Sequence, residues 1–151
     1  MKAQGIRPNA RIWRHAESFK EAAILCSKNN LIQPMAVNAA LAIELYLKSL
    51  LSLNILNPSG VVKEFKAEPG HQFSSLINRI ENHHKTMLFE ELENISNEIN
   101  WDSEFKKFDD AFVKIRYWYE TNNAAPIRHE ILNLAVDLGK AVLAMGNKLN
   151  A

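Results

Sequence analysis

Apolar residues recur at helical spacing along almost the whole chain. The first set follows at steps of four, three, four and three residues: Ile12, Ala16, Phe19, Ala23 and Cys26. This spacing puts the set on one face of an amphipathic helix, which we predict from about Asn9 to Lys28. Pro8 suits the start of this helix, and Asn29 with Asn30 suits its end.

Further helices are predicted after the first one. Pro34 opens a second helix that is apolar around most of its circumference and should therefore be central. Four more amphipathic segments follow: one after His71, one around Leu88, one over Phe108–Tyr119 and one from Pro126 onward, with its apolar stripe at Ile127, Ile131, Leu134, Leu138, Val142, Met145 and Leu149. The segment 54–70 is rich in Pro and Gly and predicts a loop. No β-alternation of useful length is present, so we predict an all-α, five- or six-helix up-and-down bundle.

Length and composition limit the class of protein. A chain of 151 residues predicts one domain over 1–151. A single cysteine, Cys26, excludes an intramolecular disulfide and favours a cytoplasmic location. The most apolar stretch, Met35–Leu53, carries Asn38, Glu44 and Lys48, so we expect a buried helix there and no association with a membrane.

The sequence lacks the motifs of the common cofactor and metal sites. It has no glycine-rich phosphate loop, nucleophile elbow, HExxH or EF-hand pattern. His83 and His84 are adjacent, so on a helix they point about 100° apart and are poorly placed to share one metal ion. We therefore expect neither a cofactor nor a metal.

The second helix carries a polar strip. Asn38, Glu44 and Lys48 fall on one limited sector of an otherwise apolar helix. Glu44 precedes Lys48 by four residues, which favours an intrahelical ion pair. A second interpretation is that the pair orients a polar binding pocket, because a charge partly removed from water needs a partner.

Three other groups of residues could contact a phosphate or a nucleobase, or transfer a proton. Arg116 is followed by Tyr117 and Trp118, which offer a guanidinium fork and aromatic rings, although Arg116 with Glu120 also makes an ordinary i,i+4 pair. His71 precedes a helix and is a candidate acid or base, or a hydrogen-bond partner of the helix start. Basic residues also gather near the amino terminus, where the alternative is a solvated helix face: Arg11, Arg14 and His15 around Trp13.

Three pieces of the chain resemble HEPN-domain proteins. They are the A-x-E-x-x-L-K pattern within Asn38–Lys48, the G-H-x-x-x-x-L pattern at Gly70–Leu76 and the R-Y-x-Y-E pattern within Phe112–Glu120. Each is loose alone, but their order and spacing are similar to that family over most of the chain. The resemblance implies a helical bundle that forms homodimers. It also implies a role in binding RNA or nucleotides, or a metal-independent ribonuclease in toxin–antitoxin or phage-defence systems, with a nucleotidyltransferase or antitoxin as partner.

The chain departs from the catalytic pattern of that family. Catalytic members have a His separated from the Arg by four to six residues, whereas Thr121–Asn123 occupies those positions here. Cleavage through the 2′-hydroxyl needs an acid, a base and a cation, of which Arg116 supplies only the cation. Catalysis would then need His71. Arg79 and His84 satisfy the spacing but lie too early in the chain.

Three hypotheses follow. The first is a HEPN-like domain that binds RNA or a nucleotide through a polar pocket of five residues: Glu44, Lys48, His71, Arg116 and Tyr117. The second is an active metal-independent endoribonuclease in which Arg116 and His71 are catalytic. The third is a non-catalytic protein-interaction module, in which the same polar residues form core ion pairs.

Overall fold

The computed structural model describes residues 3–4, 8–51, 53–56, 62–66, 72–116 and 129–149. Seven helices and three strands lie in these ranges. The helices are α1 (Ala10–Lys28), α2 (Ile32–Ser49), α3 (Phe73–Asn78), α4 (Asn82–Ile95), α5 (Trp101–Lys107), α6 (Ala111–Arg116) and α7 (His129–Leu149). The strands are β1 (Ala3–Gln4), β2 (Leu53–Leu56) and β3 (Val62–Lys66).

The ends of α1 are fixed by local chemistry. The Asn9 side chain accepts hydrogen bonds from the backbone N–H groups of Arg11 and Ile12, which would otherwise lack helical partners. At the other end, Asn30 has φ of 57°, a left-handed conformation that asparagine tolerates better than most residues. The predicted start and end of the first helix are confirmed.

α1 and α2 form an antiparallel hairpin. The Leu31 N–H donates to the Cys26 carbonyl at 2.9 Å, next to the connection between the two helices. At the far end, the Asn9 N–H donates to the Ser49 carbonyl at 2.8 Å. The start of α1 therefore lies beside the end of α2.

α7 completes the centre of the bundle. Gly139 lies against Tyr46 of α2, and Gly146 lies against Pro8 just before α1. His129, the first residue of α7, approaches Ser27 near the end of α1, so α7 runs antiparallel to α1. Five residues of the predicted apolar stripe, from Ile131 to Met145, are buried and pack with α2 and α4 in one continuous core. Leu149 is half-buried against this core, and Ile127 lies outside the described residues. A helical bundle is therefore confirmed.

A small antiparallel sheet accompanies the bundle and corrects part of the loop prediction for 54–70. β2 pairs with β1 and with β3, in the order β1-β2-β3, with Ala3 opposite Ile55 and Leu53 opposite Lys66. β1 precedes α1 and β2 follows α2, and these helix ends are adjacent. The tertiary structure thus brings β1 to β2, although neither shows a clear alternating pattern.

One further helix boundary differs from the prediction. The helix predicted over Phe108–Tyr119 is preceded by the unpredicted α5, and a turn at Phe108–Asp110 separates α5 from α6. Asp109 in this turn accepts hydrogen bonds from the backbone N–H and the hydroxyl of Ser74, so a carboxylate distant in sequence caps the start of α3.

His83 and His84 lie in the first turn of α4. Their rings are tilted with centroids 5.7 Å apart. In the part of the chain that the structure describes, no helix has both the length and the apolar character needed to cross a membrane.

Candidate functional site

The polar strip of α2 contains an ion pair. Glu44 Oε1 lies 3.7 Å from Lys48 Nζ, and only 8% of the Glu44 side chain and 14% of the Lys48 side chain are exposed. Asn38 donates from Nδ2 to the Pro34 carbonyl at 2.8 Å. The intrahelical ion pair expected from the sequence is present, in surroundings largely withdrawn from water.

The strip belongs to a wider face of α2 that the rest of the described chain leaves partly open. From Gln33 onward, the α2 residues that are not buried fall within a sector of about 140°, with Glu44 at its edge. We call this surface the open face of α2, and it consists of Gln33, Pro34, Val37, Asn38, Leu41, Leu45 and Lys48. It combines aliphatic side chains with the amides of Gln33 and Asn38 and the ammonium group of Lys48.

α6 packs against α2 beside the open face. Gln33 donates from Nε2 to the carbonyl of Ile115, at 3.1 Å, and the Ile115 side chain is fully buried. Arg116 is the next residue and the last of α6. Two segments far apart in sequence, which contain Asn38–Lys48 and Arg116, therefore meet on one side of the bundle.

The structure describes the other predicted site residues only in part. Arg116 is described in its backbone only, and His71, Tyr117 and Trp118 lie outside the described residues. α3, which begins two residues after His71, also packs on α2. The predicted five-residue pocket stays a prediction.

A second polar cluster, which the sequence analysis did not predict, joins α1 and α2. The hydroxyl of the fully buried Tyr46 donates to Glu17, whose other carboxylate oxygen accepts from Lys20 at 2.9 Å. Burial, followed by the Glu17 hydrogen bond and the charges of Glu17 and Glu21, raises the pKa of Tyr46 well above its ordinary value of 10.0. Of this cluster, the sequence spacing indicates only the Glu17–Lys20 pair, because Tyr46 lies twenty-nine residues after Glu17.

Replacing Tyr46 by phenylalanine tests this cluster. At pH 7 we expect Tyr46→Phe to lower the free energy of unfolding by about 1.5 kcal/mol, because a hydrogen bond to a charged acceptor is lost. Above pH 10 the difference from wild type should shrink by up to about 1.4 kcal/mol per pH unit. Unfolded Tyr46 ionises there while folded Tyr46 stays protonated, so stability present below pH 10 is lost as the pH rises.

Urea unfolding of both proteins between pH 7 and pH 11 measures this difference, since all other titrating groups are shared. A difference that stays constant over the whole range would contradict a raised pKa for Tyr46.

The exposed side of α1 is basic near its start. Arg11, Arg14 and His15 are exposed, whereas Trp13 is half-buried with its indole N–H shielded from water. The basic residues predicted around Trp13 therefore form a surface of three exposed side chains, to which the indole N–H of Trp13 does not contribute.

Other chemistry in the described residues is sparse. On the surface, Ser27 Oγ lies 3.1 Å from His129 Nδ1. Among the described residues, no carboxylate is shown to orient the His129 ring in this serine–histidine contact. Within the ranges the structure describes, no three His, Cys, Asp or Glu side chains are grouped to hold a metal ion.

In comparisons with known proteins, no family model, no curated protein and no solved structure matches the chain.

Proposed function

We propose that this protein is a HEPN-like helical domain that binds single-stranded RNA across the open face of α2. The observation that carries the proposal is the packing of α6 beside this face, through the hydrogen bond from Gln33 to Ile115. Arg116 ends α6, so its backbone lies on the side of the bundle that carries Asn38 and Lys48. Arginine presents a planar fork of donors that matches phosphate.

The composition of the open face supports a nucleic-acid ligand. Leu41 and Leu45 are partly exposed and offer apolar contact to bases, while Asn38 and Lys48 offer an amide and a cation. Single-stranded RNA presents both unstacked bases and phosphates, so it uses both kinds of side chain.

The dimensions of the face favour an extended strand over one nucleotide. Asn38 and Lys48 are ten residues apart on α2, which is about 15 Å along the helix axis. A ligand that contacts both residues must cover most of this length.

Binding is the function supported here, rather than cleavage. RNA cleavage through the 2′-hydroxyl requires a positioned acid and base. The seven residues of the open face include no histidine, and the Glu44 carboxylate beside them is held by Lys48. A catalytic role for Arg116 would depend on His71, so cleavage is an outcome of the test below.

The test is a binding titration with labelled RNA. We would measure fluorescence anisotropy of a 5′-labelled, mixed-sequence single-stranded RNA of about twenty nucleotides, in EDTA, for wild type, Arg116→Ala and Lys106→Ala. Lys106 is the matched control, because it is a cation on α5 with an ordinary i,i+4 partner, Asp102, at 3.0 Å. We expect saturable binding that Arg116→Ala weakens roughly tenfold and Lys106→Ala leaves almost unchanged.

The same samples are run on a denaturing gel. Intact RNA with saturable binding supports a binding protein, whereas cleavage that Arg116→Ala abolishes would replace the proposal with the endoribonuclease hypothesis. Absence of binding by folded wild type, or equal losses in both variants, would overturn the proposal and favour the interaction-module hypothesis.

A further inference from the structure

The first two turns of α1 present an exposed face with positive charge. Arg11, Arg14, His15 and Ser18 are exposed and lie within a sector of about 100°. Glu17, in the next turn of α1, is bound by Tyr46 and Lys20. We call Arg11, Arg14 and His15 the basic face of α1.

The basic face points away from the helix that flanks α1. α7 packs on the flank of α1 that carries Glu17 and Ser27, as the contacts of Tyr46 and His129 show. Counted around the helix, Arg11 and His15 lie on the opposite flank, at roughly 120–160° from Ser27.

The basic face and the open face of α2 share one end of the bundle. The hydrogen bond from Asn9 to Ser49 places the start of α1 beside the end of α2. Lys48 is the residue before Ser49 and lies in the last turn of α2. The cationic end of the open face is therefore next to the helix start that carries Arg11.

We propose that the basic face of α1 contacts the phosphate backbone of the same RNA strand after it leaves the open face at Lys48. The inference rests on the proposed function and adds a second, sequence-independent contact surface to it. Cations that meet phosphates supply affinity without reading bases, and each such contact adds to the dependence of binding on salt.

The chemistry of the basic face favours RNA over an anionic membrane. A helix that lies on a membrane needs large apolar side chains beside its cations. Leu25 is the large apolar residue that α1 exposes, and it lies three turns from Arg14, with the acidic Glu21 between them.

The experiment compares two charge-matched double variants. Arg11→Gln/Arg14→Gln removes two cations from the basic face, and Lys106→Gln/Lys107→Gln removes two from α5. Lys107 pairs with Glu130, beside His129 at the opposite end of α1, so the control changes net charge equally at a remote place. Binding of the labelled single-stranded RNA is measured at several salt concentrations, alongside sedimentation with phosphatidylserine-containing vesicles.

We expect Arg11→Gln/Arg14→Gln to weaken RNA binding roughly tenfold and to reduce the slope of log affinity against log salt by about 1.4, which corresponds to two lost phosphate contacts on a single strand. The Lys106→Gln/Lys107→Gln slope should match wild type.

Equal slopes in the two variants, or vesicle binding that is lost with Arg11 and Arg14 while RNA binding is unchanged, would overturn this inference. If wild type still binds RNA through Arg116, the proposed function survives that result. If folded wild type binds no RNA, both fail.

Discussion

Replacing Gly139 by alanine is expected to lower the free energy of unfolding by about 2 kcal/mol. A Cβ at this position would lie 2.6 Å from the hydroxyl oxygen of Tyr46 and 2.8 Å from Cζ of the same ring. The ring is fully buried and its hydroxyl is held by Glu17, so it has little room to move aside. The steric cost should exceed the gain of about 1 kcal/mol that alanine brings to a helix interior.

Gly146→Ala is the matched control for this variant. It makes the same change in the same helix, but the nearest atoms are the ring carbons of Pro8 at 3.1 Å, and Pro8 is only half-buried before the start of α1. We expect its stability to be within about 0.5 kcal/mol of wild type, since helix propensity offsets a mild contact. Urea unfolding that finds both variants equally stable would show that the Tyr46 ring yields readily.

Replacing Lys48 by methionine is the second substitution with a large expected effect. It preserves much of the aliphatic volume but removes the cation beside Glu44, a carboxylate in a residue that is only 6% exposed. Taking away one member of a nearly buried ion pair removes a favourable interaction from a charge that is largely withdrawn from water, so we expect a loss of about 2 kcal/mol. Equilibrium unfolding in urea measures it.

A double-mutant cycle separates the ion pair from packing. Glu44→Gln/Lys48→Met removes both charges. We expect its loss of unfolding free energy to be smaller, by about 1 kcal/mol, than the sum of the losses in the two single variants. Simple additivity would mean that the pair contributes no coupling and that Lys48 acts through its hydrocarbon stem.

The helices could be predicted because their signals are local. The apolar spacing from Ile12 to Cys26 identifies α1, and its Ile12, Ala16 and Ala23 are buried. Asparagine at positions 9 and 30 supplies the cap and the left-handed residue where the chain enters and leaves this helix. Each of these signals acts over a few residues, so it can be recognised from sequence.

The candidate site was predicted only in part. The Glu44–Lys48 pair could be predicted because its partners are one helical turn apart. The contact of Gln33 with Ile115 joins residues eighty-two positions apart, and the Tyr46–Glu17 hydrogen bond crosses from α2 to α1. Nothing in the spacing of these residues indicates which ones meet.

A helical bundle, with α2 at its centre and a polar strip along that helix, could be predicted from the residues alone, because hydrophobic periodicity and capping are properties of neighbouring residues. Three contacts emerge only when the chain is folded: Asp109 caps α3, Gly139 makes room for Tyr46, and β1 pairs with β2. These contacts depend on how buried faces pack against one another. The packing is set by the shape of the whole core, which no local pattern encodes.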